Sequence, residues 1–345
     1  MDSNFLSIIA QIGILIFLLI VGLELILRRK GIKSKTVTKE KSKIIPEGKL
    51  YKAHPILGFV FQPGNFLINI NDRFEFTANH DEKGHRITSE NGQKEHISER
   101  PEIWMFGCSY TYGWLVNDYE TFPWLIQERL KDWKIINFGV SGYSILQAYL
   151  QFKEALSKES APPIVILAYG SEIHDKRNTL TRQRKKSFSR LERTSPYMVP
   201  CGRINENDEL EIKYDSTKYI GYPFSSHLAL MKRLEYRYDI RYDNRLKSKE
   251  VSKRILLQFK QLCDEVQSAF VVAGIHEGKD TQKMLEFCKQ QGMKTINISV
   301  ERGSEHPENS HYPHDDHPSP LAHRKYADKL MKYFRQEKMI NIKSV

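Results

Sequence analysis

Cysteine is scarce in this chain of 345 residues. The four present, Cys108, Cys201, Cys263 and Cys288, form no C-x-x-C pair and show no metal-like spacing. They read as free thiols, which excludes a disulfide framework and leaves no metal centre expected among them. No Lys or Arg precedes Phe5, and no small-residue cleavage site follows the apolar run that begins there, so a cleaved secretory leader is not expected. A second long apolar run is absent as well. The net charge is +11, but much of the excess sits in residues 28–43 and 177–193. A uniformly basic nucleic-acid groove is therefore not expected, and no nucleic-acid partner is assigned. No internal repeat is found, which excludes a solenoid.

What is present begins with one near-continuous apolar run, residues 5–27. As a helix it spans ~35 Å at ~1.5 Å per residue, enough to cross a bilayer core. Gln11 and Glu24 are its only strongly polar residues, and Glu24 lies near one end, within reach of the interface. A buried core helix is the alternative, but the run has no polar face. The organisation expected is a transmembrane anchor over 1–28, a basic tether over 29–49, a small β-rich region over 50–100 and an α/β domain over 101–345. Lys and Arg flank only the carboxyl-terminal end of the run. That bias predicts a single-pass membrane protein with its domain on the cytoplasmic side.

Residues 66–70 and 73–77 alternate apolar and polar, with turn residues between them, and predict a hairpin. From residue 103 onward, short apolar runs alternate with helical patterns. Strands are expected over 103–106, 134–138, 163–169, 269–274 and 294–298. Helices are expected over 121–131, 145–157, 226–238, 248–267, 280–291 and 321–337. Residues 175–195 are basic and read as a lid, a loop or a loose helix, and 196–222 as irregular β structure. Strands separated by helices over this length predict a three-layer α/β/α sandwich with a parallel sheet.

The chemistry is expected in Ile103-Trp-Met-Phe-Gly-Cys-Ser-Tyr-Thr-Tyr-Gly113. An apolar strand stops at Gly107, and small residues carry the chain toward a helix. Such a turn lies at the carboxyl edge of the sheet, where open α/β sheets bind ligands. Ser109 in that turn stands close to unpaired backbone N–H groups, as a nucleophile requires. The same stretch also reads as a plain βα turn with a serine cap. The lipase elbow G-x-S-x-G is not met, because Thr111 stands at its second Gly.

A serine nucleophile needs a base, and the base needs an orienting group. Pro313-His-Asp315-Asp316-His317-Pro-Ser-Pro lies in a loop before the last helix. His317 is the candidate base and Asp315, two residues earlier, the candidate orienter. Asp and His are also common surface residues before a helix. A metal site from His311, His314, Asp315, His317 and His323 is a further alternative, although no i, i+4 His pair is present.

Together these pieces resemble the SGNH (GDSL-like) hydrolase family, in the form of its membrane-tethered bacterial members. Gly107-Cys-Ser109-Tyr-Thr111 is similar to its first block, with Cys108 where the family usually has Asp. Asn137-Phe-Gly-Val-Ser-Gly142 is similar to its second, and Asp315-Asp-His317 to its last. The resemblance covers about residues 100–335. It implies a flavodoxin-like fold, a Ser109–His317–Asp315 triad and no cofactor. It also implies an oxyanion hole from the N–H groups of Ser109 and Gly142. The family's third block supplies an Asn to that hole, but Glu172 stands there, so His174 or Asn178 is the candidate replacement. The Asp81–Arg86 turn is similar to a hairpin that often precedes the first block.

The function implied is ester hydrolysis, or acyl (acetyl) transfer, on an acylated glycan or lipid substrate. A non-catalytic binding or scaffold protein on the same fold is the alternative, with Glu172 as its sign. A Cys108 nucleophile is weaker, because the side chains of neighbours alternate and Cys108 should point away from the Ser109 side.

Overall fold

The apolar amino-terminal run forms α1 (Ser3–Arg29), with Leu6–Arg29 long and apolar enough to cross a membrane. The structure is a computed structural model and describes residues 3–32, 41–46, 48, 50–90, 100–188 and 198–340. Part of the expected tether lies outside those residues, and its remainder is not loose. Ser42–Ile45 is a strand, β1, antiparallel to β4 (Gly64–Ile70), which pairs in turn with β5 (Phe74–His80). Ile44 of β1 packs on the apolar cluster below, which the basic composition around it obscured. The hairpin of β2 (Tyr51–His54) and β3 (Gly58–Phe61) lies between β1 and β4 in sequence.

These strands share one core with the rest of the protein. Phe59, Phe61, Ile68 and Phe76 cluster with Tyr112, Trp114, Tyr143 and Phe188. The β-rich region of residues 50–90 is therefore packed into the α/β domain and does not form a core of its own. Residues 91–99 lie outside the described residues.

The main sheet has five strands: β6 (Glu102–Phe106), β7 (Lys134–Asn137), β8 (Ile164–Tyr169), β11 (Ala269–Gly274) and β12 (Lys294–Asn297). Its order is β12-β11-β8-β6-β7, and every pairing is parallel. All six residues of β8 are buried, as a strand covered on both faces requires. Alternate side chains of β6 serve opposite layers. Ile103 and Met105 join α3 (Phe122–Arg129) and α10 (Pro320–Gln336) through Ile126, Tyr326 and Leu330. Trp104 and Phe106 join α4 (Ile145–Leu156) and α8 (Ser248–Glu265) through Phe152 and Phe259. This is the α/β/α sandwich, with the flavodoxin-like strand order. The chain reverses direction across the sheet between β6 and β8, and ligands bind at such a switch point.

Of residues 175–222, positions 175–188 and 198–222 are described, and these are more regular than their composition suggests; 189–197 lie outside the described residues. α5 (Ser171–Asn178) and α6 (Arg182–Phe188) are short helices. β9 (Met198–Ile204) and β10 (Leu210–Ser216) make an in-register antiparallel hairpin. α7 (Ala229–Arg245) begins and ends later than its pattern indicated. It carries Glu235, Asp239 and Asp243 on one face, turned toward α6. Lys186 pairs with Glu235 at 3.1 Å and Arg182 with Asp239 at 2.5 Å. Asp243 accepts from the backbone N–H of Arg182.

Candidate active site

Ser109 is the first residue of α2 (Ser109–Tyr112), a single turn immediately after β6. Glycine permits the turn. Gly107 has φ +158°, and a Cβ there would lie 2.1 Å from Thr111 Oγ1. On the neighbouring loop, a Cβ on Gly139 would lie 2.4 Å from the backbone N of Tyr112. Asn137, the last residue of β7, ties the two together: its Nδ2 donates to the Thr111 carbonyl, and its Oδ1 accepts from Gly139 N–H.

The far end of α2 is held by Arg86, from the Asp81–Arg86 turn. Its fully buried guanidinium donates to Asp118 Oδ1 at 2.6 Å and to the carbonyls of Tyr112, Gly113, Thr77 and Val116. His80 supports the same helix, with Nε2 2.9 Å from the Tyr112 hydroxyl. Burial pushes its pKa down to about 3, so the ring is neutral. Neither Arg86 nor His80 was legible as a site support, because each acts through residues distant in sequence.

Ser109 is 3% exposed. Its Oγ lies 3.0 Å from His317 Nε2. His317 Nδ1 lies 2.5 Å from Asp315 Oδ1, which also accepts from His317 backbone N–H at 2.8 Å. Burial alone would raise the Asp315 carboxyl, but the hydrogen bond and charge of His317 hold it below its ordinary value. Asp316 is arranged differently. Its carboxylate is exposed, and its carbonyl accepts from Arg302 Nη1 at 2.7 Å. The same Nη1 donates to the Tyr110 hydroxyl at 2.8 Å, which links the loop of His317 to α2. The loop closes on itself where His311 N–H meets the His317 carbonyl and Ser319 N–H meets the Asn309 carbonyl.

Two backbone N–H groups were expected to serve the serine, its own and that of Gly142. No acceptor among the described residues meets the N–H of Ser109 or of Gly142. Two arginines position the Gly142 loop by its carbonyls. Arg184 Nη2 donates to Gly142 O at 2.8 Å, and Arg177 Nη1 to Tyr143 O at 3.1 Å. Neither guanidinium meets a carboxylate among the described residues. Burial, with the neighbouring Arg177 charge adding to it, brings the Arg184 guanidinium well below its ordinary value. Sequence reading assigned these arginines only to a basic stretch.

Of the two side chains expected to replace the third-block Asn, Asn178 is occupied elsewhere, whereas His174 uses only its Nδ1. Asn178 is fully buried; its Oδ1 accepts from Leu146 N–H, and its Nδ2 donates to Ser252 Oγ. It caps α4 and ties it to α8. His174 Nδ1 accepts from Gly170 N–H at 2.8 Å, at the end of β8. His174 also faces Cys108. Burial would raise that thiol, but His174 and Arg177 bring it well below its ordinary value. Cys108 itself is buried in the core layer with Ile103 and Met105. Glu172 is exposed and 3.9 Å from Lys176, so its charge lies in solvent.

The metal alternative is not supported. Among the described residues no group of three His, Cys, Asp or Glu side chains is arranged to hold a metal ion. His323 is buried and accepts from Phe122 N–H at the start of α3, and burial pushes its pKa down to about 3.

No family model matches the chain, and no curated protein matches it. Several solved structures are similar to it at low identity. A member of the lipolytic G-D-S-L family from Veillonella parvula is 11% identical over 68% of this chain and 98% of its own, with a TM-score of 0.40. A putative lipolytic protein of the G-D-S-L family from Desulfitobacterium hafniense is 8% identical over 68% and 99%, with a TM-score of 0.37. A psychrotrophic esterase from a Pseudoalteromonas species is 9% identical over 69% and 98%, with a TM-score of 0.38.

Proposed function

We propose that the chain is a serine-dependent ester-processing enzyme of the SGNH type. The observation that carries this reading is the unbroken line Ser109 Oγ, His317, Asp315, with contacts of 3.0 and 2.5 Å. Ser109 attacks the acyl carbonyl as His317 Nε2 takes its proton, and Asp315 stabilises the imidazolium that results. The carbonyl oxygen gains the electron pair and is met by the N–H groups of Ser109 and Gly142. His317 then returns the proton to the leaving alkoxide. The acyl group passes from Ser109 to water, or to a sugar hydroxyl in an acetyl transfer. The substrate class is an acylated glycan or lipid.

We further propose that α1 anchors the enzyme in a membrane. Within its span Leu6–Arg29 the apolar window has a mean hydropathy of 2.8, and none of that window is buried against the protein. An anchored domain suits a substrate attached to, or assembled at, a membrane.

The test is labelling by a fluorophosphonate, which reacts only with an activated serine. Labelling is expected on Ser109 and nowhere else. Asp315→Asn should slow it by about 10²–10⁴-fold, since the orienting carboxylate fixes the tautomer of the base. Asp316→Asn should leave it within a factor of about three, as surface substitutions away from the mechanism do. Absence of any labelling would leave the non-catalytic binding protein as the better reading.

A further inference from the structure

The anchor does not end free of the domain. Glu24 lies on the last turns of α1, and its carboxylate accepts from the backbone N–H groups of Ala229 and Leu230, both at 2.9 Å. It thereby caps the amino terminus of α7 from another element. Arg28 donates to the His227 carbonyl at 2.9 Å and to Glu24 itself. Residues 6–23 as a helix measure ~27 Å, close to the thickness of a bilayer core. Glu24 then sits at the interface, and the start of α7 is fixed at the same depth.

The residues around that point are unusual for a soluble surface. Ile220 and Phe224 are each 69% exposed. Phe224 has φ +58°, a conformation costly for a bulky side chain. On α7, Leu234 and Tyr236 are exposed beside Arg233 and Arg237. Neither arginine meets a carboxylate among the described residues. Of the acids of this helix, Glu235 and Asp239 are buried against α6, and Asp243 accepts from the backbone N–H groups of Arg182 and Gln183 there. One helix has thus sent its negative charge inward and left arginine, tyrosine and leucine outside. Basic residues interleaved with exposed apolar and aromatic ones are the composition of a surface that lies in a lipid headgroup layer.

We propose that the face formed by residues 220–237 docks on the anionic headgroups of the bilayer that α1 spans. Ile220 and Phe224 insert at the headgroup–acyl boundary, and Arg233 and Arg237 pair with lipid phosphates. Docked in this way, the domain is held against the bilayer and cannot tumble on its tether. The inference rests on the anchor reading and is independent of the triad.

The experiment uses the full chain in nanodiscs of phosphatidylcholine, alone or mixed with phosphatidylglycerol, with amide hydrogen exchange as the readout. Exchange over 217–237 should slow on the order of tenfold in the anionic discs relative to the neutral ones, because each basic residue near an anionic surface adds attraction. Exchange in the parallel sheet should stay unchanged. Arg233→Glu with Arg237→Glu should abolish the anionic increment, and Ile220→Ser with Phe224→Ser should abolish protection in both discs. Sheet exchange in each variant reports whether it has folded. Co-elution with discs reads the anchor by itself. A chain that co-elutes but exchanges equally at 217–237 in neutral and anionic discs overturns the docking face and leaves the anchor. A chain that elutes apart from the discs overturns both.

Discussion

The two halves of the candidate site are held in opposite ways. Ser109 is nearly inaccessible and starts a single helical turn pinned at both ends. Gly107 and Gly139 let the backbone close around it, Asn137 holds the Thr111 carbonyl, and Arg86 holds the carbonyls of Tyr112 and Gly113. His317 sits on an irregular loop with its side chain about a quarter exposed. That loop depends on its own backbone hydrogen bonds and on Arg302. In the proposed mechanism the nucleophile is thus fixed before any substrate arrives, and the base is the half with freedom to adjust. Preorganisation matters most where charge develops, which is at the serine and its N–H neighbours.

The largest effect should come from cutting across the two halves. Ser109→Ala and His317→Ala should each lower turnover of a small acyl ester by about 10⁴-fold or more, and the double variant should be no worse than either single one. Steady-state assays of the three variants check this. Losses that multiply would mean that the halves act separately, and the comparison would then fail. Neither substitution should shift the unfolding midpoint by much, since neither residue belongs to an apolar core cluster and His317 is partly exposed.

A smaller effect separates the supports. Arg86→Ala leaves Asp118 buried without its cation and four carbonyls short of a donor. It should cost about 3–5 kcal/mol of stability, the usual result of breaking one side of a buried ion pair. Arg302→Ala, on the base side, should cost only about 1–3 kcal/mol, the range for a hydrogen bond to a charged group. Urea unfolding of both variants gives the two values. Equal losses would show that the base loop is as firmly built in as the nucleophile.

The smallest effect is graded and comes with acid. His80 under α2 and His323 under α3 are both held at about 3 by burial, against an ordinary value near 6.5. Between those values the unfolded chain binds more protons than the folded one. The stability tied to these rings is complete above about pH 6.5 and is lost progressively as pH falls from there toward 3. Urea midpoints across that range should decline, and His80→Gln should flatten the decline. A slope unchanged by the substitution would remove His80 from the account.

Much of the fold could be read directly from the residues. The run Ile164–Tyr169 has apolar side chains in every position, which only a strand covered on both faces requires. Ser144 and Gln147 make a capping box at the start of α4, and Ser319 caps α10. These signals are local, so the order of strands and helices follows from sequence alone. Ser109, Asp315 and His317 were legible as chemistry for the same reason, since each lies in a short stretch bounded by Gly or Pro.

The extent of α7 was not legible, because its buried face is acidic and has no apolar period. Glu235, Asp239 and Asp243 make sense only opposite α6. Strand β1 was hidden by lysines, because its partner β4 lies more than twenty residues on. Asn178 looked like an oxyanion donor until α4 and α8 were seen to take both ends of its amide.

The sequence by itself determined the layers of the sandwich, the apolar span at the amino terminus and the residue types able to do acyl chemistry. The tertiary structure decided which of those residues meet and which polar groups are already spent. The physical reason is one of range. Apolar periodicity and helix caps act over a few residues, whereas hydrogen-bond partners and burial are set by chain segments that meet only after folding.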